Sequence, residues 1–300
     1  MAAGCGKRVH VLLKHTGSPT KHVTYAGVVI MLITDDFVML NFPKTGSTFA
    51  RHVIKRLYLR RQSAIRRLLV RLGIGNGGVE ELMLPKIDEA SNAGFRDQHG
   101  TLRQVPAKHR EKPILTISRN PFSRYISLYH FKWWQEHPPA DRNALIRQFP
   151  GFPDLDFSEY YRMTHTYGIK DRLGGITPKI ELGLHTIQFI QFYFFDPESV
   201  LRKIDDEYIE SGAFREDMCS NISFIHQENL NVELKEFLRS IGFTEHELQI
   251  IDSTEEINVT KKDPERHDSK RITVDEAVTN HILARDKLVF KVFPEYLPLA

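Results

Sequence analysis

The sequence predicts a three-layer α/β domain with a central parallel sheet flanked by helices, and three stretches carry that expectation. VVIMLI (28–33), Thr34-Asp35-Asp36 and FVMLNF (37–42) read as two strands joined by a tight turn. ILTIS (114–118) is another buried-strand run, with Asn120-Pro121 opening a helix behind it. ISFIH (222–226) is a further strand, followed by an amphipathic helix. Strands alternating with helices of this length pack as a sheet covered by helices.

The 37–42 run is almost continuously apolar, as a strand buried on both faces must be. Beyond it, Ala50, Val53, Ile54 and Leu57 fall at i, i+3, i+4 and i+7, one helical stripe. Gly73 to Gly78 (GIGNGG) breaks that pattern and predicts a mobile loop. At the second strand-to-helix step, Asn120 suits an N-cap and Pro121 the first helical position. Phe122, Tyr125, Ile126 and Tyr129 supply that helix with its apolar stripe. Residues 135–158, rich in proline and charge, read as an excursion over the surface. After 222–226, Val232, Phe237, Leu238 and Ile241 predict the apolar side of a helix, and another helix is expected around 274–293. There is no internal repeat. The 300 residues read as a single domain, with 1–25 as an N-terminal extension.

A formal net charge of +3 is too small to imply nucleic acid, and no such partner is expected. The charge is unevenly spread: 51–72 is rich in Lys and Arg without one acid, whereas 196–217 is acid-rich. A basic helix of this kind is a solvated face, or a surface that attracts an anionic ligand or a membrane. Cys5 and Cys219 have neither a disulfide framework nor metal-ligand spacing. No apolar run is long enough for a transmembrane helix, and the N-terminal stretch is too polar for a signal peptide, so a cytoplasmic location is expected. Sequons at Asn221 and Asn258 carry little weight beside this.

The segment Pro43-Lys44-Thr45-Gly46-Ser47-Thr48 joins a buried strand to a helix. A helix N-terminus offers unpaired N–H groups and a partial positive charge, and so attracts anions. Gly46 lets a ligand approach the backbone, Lys44 adds a full charge, and Thr45, Ser47 and Thr48 add hydroxyls. A Walker loop needs G-x-x-x-x-G-K-[ST], with Lys after the second glycine. Here Lys44 precedes the single glycine, so the loop suits one 5′-phosphate with whatever it carries.

A second motif, SRNPFSRYISLY (118–129), has an Arg at a strand end and a Ser eight residues on. Asn120, Ser123, Arg124 and Ser127 recur at helical spacings, giving a polar face opposite the apolar stripe. Guanidinium and hydroxyl together make a good dianion receptor. Together, PKTGST and RNPFSRYIS resemble the two nucleotide-binding motifs of sulfotransferases that use 3′-phosphoadenosine 5′-phosphosulfate (PAPS). The resemblance covers about 28–130 and, thinly, 220–295. It implies a P-loop-type domain in which 43–48 hold the 5′-phosphosulfate and Arg119 and Ser127 the 3′-phosphate. PAPS is then the donor and adenosine 3′,5′-bisphosphate the product, with no metal required.

The implied reaction is in-line transfer of a sulfuryl group to a hydroxyl, or an amine, of a saccharide or small-molecule acceptor. Lys44 would stabilise the bridging oxygen as the S–O bond breaks. In glycan-type and bacterial relatives a His upstream of the second motif acts as general base, which points to His99 in GFRDQHGTL. His109 is its rival, and Glu80, Glu81, Asp88 and Asp97 are acidic candidates. EINVTKKDPERHDSK (256–270) resembles the loop that closes over the nucleotide, making Thr260 and Lys262 expected donor contacts. Glu228 and Asn229, in QENL, are read as orienting a turn. The segment 135–215 is expected to select the acceptor, with Trp133, Trp134, Tyr160, Tyr161 and Tyr167 available to shape its pocket. A P-loop small-molecule kinase and a non-catalytic nucleotide-binding module are the alternatives.

Overall fold

The computed structural model describes residues 29–74, 77–83, 100–254 and 272–298. Its strands are β1 (Val29–Thr34), β2 (Val38–Leu40), β3 (Val79–Met83), β4 (Ile114–Ser118) and β5 (Ile222–His226). They form one mixed sheet in the order β3–β1–β2–β4–β5. The expected parallel arrangement holds for β2, β4 and β5 but not at β1, which is antiparallel to both of its neighbours. For the β1–β2 pair the reason is local. Thr34 closes the turn with its N–H donated to the Phe37 carbonyl (2.9 Å), while its Oγ1 accepts from the N–H of Phe37 (2.9 Å). A connection this short can only reverse the chain, because a parallel return needs a crossover.

Side chains alternate across the sheet and feed two cores. Leu32, Met39, Leu115 and Ile117 face one, and Met31, Ile33, Val38, Leu40 and Ile114 face the other. Helix α1 (Ser47–Arg61) covers the first face with Ala50, Val53, Ile54 and Leu57, the stripe expected from their spacing. Helix α2 (Ala64–Arg71) follows it and buries nothing. On the second face lie α3 (Pro121–Phe131), N-capped by the Asn120 side chain, and α4 (Leu184–Tyr193), buried at every position. Helix α5 (Leu230–Ser240) joins α1 through Leu234 and Leu238, whereas Val232 is exposed.

The expected C-terminal helix is two, α6 (Glu276–Arg285) and α7 (Lys287–Val292). Asp286 breaks it because its buried carboxylate accepts from the Tyr125 hydroxyl (2.9 Å) and the Thr186 N–H (2.8 Å), tying α3, α4 and the C-terminus together. Burial pushes that carboxyl up to about 6. The surface excursion expected over 135–158 is corrected as well. Leu145, Phe149, Phe152, Leu155 and Phe157 are buried and share the second core, so most apolar positions in 135–215 build the body of the domain. Among the described residues no helix is long and apolar enough to cross a membrane.

Candidate functional site: an anion cradle at the sheet edge

Strands β2, β4 and β5 run in the same direction, so the segments leaving them emerge at one edge of the sheet. These are the PKTGST loop, the RNP turn and the QEN turn. Crevices outside the carboxyl ends of parallel strands are where α/β sheets bind ligands. Two motifs far apart in sequence meet here: Arg119 donates from Nη1 to the Lys44 carbonyl (3.0 Å). Its Nε donates to Ser123 Oγ (2.9 Å), which fixes the guanidinium over the first turn of α3. Ser127 is half-buried one turn further along this face, a rise of about 6 Å.

Within the loop, Lys44 (φ 66°) and Gly46 (φ 89°) both adopt left-handed backbone conformations. At Gly46 an added Cβ would stand 3.4 Å from Gln227 and 3.5 Å from Leu230, so the β5 turn closes one side of the loop. Gly46 also leaves α1 without a side-chain cap, and no acid occupies that helix's first turn. The Phe49 N–H is taken by the Gly46 carbonyl (3.1 Å), so it is the N–H groups of Ser47 and Thr48 that can meet an anion. Ser47 and Thr48 stand in this turn, half-buried and exposed respectively. The Thr45 hydroxyl is fully buried and donates to the Phe42 carbonyl (2.8 Å), so its side chain shapes the loop from within.

The Lys44 ammonium lies over the Phe131 ring at 3.9 Å. An exposed cation–π contact is worth about 0.5–1 kcal/mol. A charge-assisted bond to phosphate is stronger, so an arriving anion can draw Lys44 from its aromatic rest. Phe131 stacks against Trp133 (6.3 Å, 12°), and both are exposed beside the loop. Trp134, Tyr160 and Tyr161, by contrast, are buried core residues, and the Tyr167 hydroxyl donates to Gln148. Of the five aromatic residues expected to shape an acceptor pocket, Trp133 is the exposed one.

Arg124 departs most from its sequence reading. Instead of extending a polar face it is 1% exposed, donates from Nε to the Pro43 carbonyl (3.0 Å) and from Nη2 to Gln188 Oε1 (2.5 Å), and lies over Phe42. Its Nη1 is buried without a protein partner. Burial pushes its pKa down to about 10, against the opposing pull of Tyr125 and Asp286. Arg119 is lowered too, by burial, with Glu228 and Tyr296 opposing. Two desolvated guanidinium groups thus support adjacent carbonyls of the loop. Arg51, one turn into α1, adds a further burial-lowered guanidinium whose Nε is buried without a partner. Arg124 lies within the second motif but was read there as part of its polar face, and Arg51 is marked only as the first cation of the basic 51–72 run.

The rim is orderly. Glu228 accepts the Asn120 N–H (3.1 Å), consistent with the expected turn-orienting role. Asn120 Nδ2 donates to the Tyr296 carbonyl (3.2 Å), and the Tyr296 hydroxyl pairs with Ser118 (2.7 Å). His226, at the end of β5, is held between Glu233 (2.9 Å) and Glu295 (2.7 Å). Burial lowers its pKa, but the two carboxylates more than offset this and the net shift is upward.

His99, Thr260, Lys262, Asp88 and Asp97 lie outside the described residues. His109 precedes β4, at the opposite end of the strand from Arg119. Glu81 is paired with Lys55 of α1 (2.8 Å). Comparison with protein-family models, curated proteins and solved structures finds no match.

Proposed function

We propose that the chain is a sulfotransferase moving a sulfuryl group from 3′-phosphoadenosine 5′-phosphosulfate to a hydroxyl, or an amine, of a saccharide or small-molecule acceptor. One observation carries this reading: the two anion-type motifs, 43–48 and 119–127, are joined through the Arg119–Lys44 bond. A donor with phosphate at both 3′ and 5′ positions needs two anion sites side by side. In this reading the fold is P-loop-type and three-layered. The loop and the α1 N-terminus hold the 5′-phosphosulfate, and Arg119 with Ser127 holds the 3′-phosphate.

Sulfuryl transfer is an in-line displacement in which the protein positions the partners and stabilises the departing phosphate. Lys44 leaves Phe131 to neutralise the bridging oxygen as the S–O bond breaks, and His99 removes the acceptor proton. The exposed Phe131–Trp133 pair offers the acceptor a flat apolar platform beside that lysine. The alternatives, a small-molecule kinase or a non-catalytic module, separate cleanly in a thermal-shift experiment. Saturating adenosine 3′,5′-bisphosphate should raise Tm by about 5 °C at a hundred times its Kd. Stabilisation by ATP with Mg²⁺ but not by the bisphosphate would overturn the proposal. Bisphosphate binding without product formation from PAPS, across a panel of hydroxyl and amine acceptors, would favour the non-catalytic module.

A further inference from the structure

Helix α2 has the form of an ordinary helix without the burial that sustains one. Ser63 caps its start by accepting the Arg66 N–H. Its end is closed by Gly73 at φ 78°, with Ile74 N–H donated to the Leu69 carbonyl (2.8 Å) and Gly73 N–H to that of Val70 (3.0 Å). Yet no residue of α2 is buried. At about 100° per residue, Ala64, Ile65, Leu68, Leu69 and Leu72 share one arc. Arg66, Arg67 and Arg71 occupy the other, with Val70 among them.

Val70 is the one residue of α2 that is not exposed, and it lies beside Gly77 together with Leu59 of α1. It sits opposite the midpoint of the apolar arc, so the helix turns its leucines away from the body. Ile65 is 75% exposed, Leu72 66% and Leu68 56%, with Ile74 just beyond them. Beside this arc, between α1 and α2, runs an open groove of about 560 Å³ lined by Arg56, Arg60, Arg67 and Arg71 with Leu59 and Leu68. Residues 51–72 hold eight Lys or Arg and no Asp or Glu.

We infer that α2 docks this protein on an anionic lipid bilayer, lying in the plane of the interface. Its leucines enter the acyl boundary, and the arginines of α2 and the groove meet the headgroups. The pairing of features decides the partner. A polysaccharide or nucleic acid would satisfy the arginines but leave the aliphatic arc in water, and 59–74 offers no aromatic ring for bases to stack on. An interfacial helix combines an aliphatic face with a Lys- or Arg-rich one, as α2 does. The docking does not depend on the sulfotransferase reading, since no residue of α2 belongs to the anion cradle.

The test is flotation of the full chain with phosphatidylcholine vesicles, with and without phosphatidylserine. Binding should require phosphatidylserine and fall as salt rises. The double variant Leu68→Glu/Leu72→Glu should abolish it, and Arg66→Gln/Arg67→Gln/Arg71→Gln should weaken it by up to about a hundredfold. Circular dichroism and bisphosphate binding should match the parent in both variants. Absence of binding to phosphatidylserine vesicles would overturn the inference, as would binding that both variants retain. A self-association abolished by Leu68→Glu/Leu72→Glu without any vesicle binding would assign the face to a second copy of the chain. Retention on heparin with no vesicle binding would assign it to a soluble polyanion.

Discussion

Arg119 and Arg124 differ from Arg66, Arg67 and Arg71 in everything but residue type. The first two are desolvated, aimed at the carbonyls of Lys44 and Pro43, and fixed by Ser123 and Gln188. The other three are exposed, on a helix that buries nothing. In sequence the second group is the more conspicuous, because its charges cluster without an acid nearby. Charge density along the chain therefore says little about where a cation is held in place. A buried guanidinium becomes a fixed element of a site only when directed bonds offset the desolvation that burial imposes.

The largest effect is expected at Arg124. Replacing it with Ala should cost about 3 kcal/mol of folding stability in urea, because the Pro43 carbonyl and Gln188 lose their donor inside the core. A loss under about 1 kcal/mol would mean that the buried charge stabilises nothing. Next comes Arg119→Ala, for which the expected effect is on binding. Affinity for adenosine 3′,5′-bisphosphate, read by calorimetry, should fall about a hundredfold, the worth of a charged phosphate contact. Unchanged affinity would remove the 3′-phosphate site from the proposal.

His226 gives a smaller effect with a defined sign. Its folded pKa is above the ordinary 6.5 because Glu233 and Glu295 together outweigh burial. The protonated form is thus favoured in the folded state. Its contribution is complete below about 6.5 and is lost as pH rises through the folded value. Denaturation midpoints should show that decline as pH rises above about 6.5, and Glu233→Gln should flatten it. The smallest effect belongs to the exposed arginines. Arg66→Gln, Arg67→Gln and Arg71→Gln should each shift stability by less than about 0.5 kcal/mol. A larger loss would show that α2 depends on them for folding.

Much of the scaffold was legible because it is encoded locally. The tight turn at Thr34–Phe37, the stripe at Ala50, Val53, Ile54 and Leu57, and the Asn120-Pro121 helix start all depend on near neighbours. The readings that failed needed distant partners. Phe149, Phe152 and Leu155 sit among prolines and charges and read as surface, yet they complete a core shared with the far end of the chain. Asp286 splits the C-terminal helix for the sake of Tyr125 and Thr186.

The chain's local preferences place two segments, 43–48 and 119–127, each between a buried strand and a helix start, because strand, turn and N-cap preferences act within a few residues. That they meet is a property of the assembled sheet. Parallel pairing of β2, β4 and β5 brings their ends to one edge. Tertiary packing also decided that Arg124 belongs beneath the loop, a matter of which helix packs over α3, and that the leucines of α2 point outward, a matter of which side Val70 turns to the body.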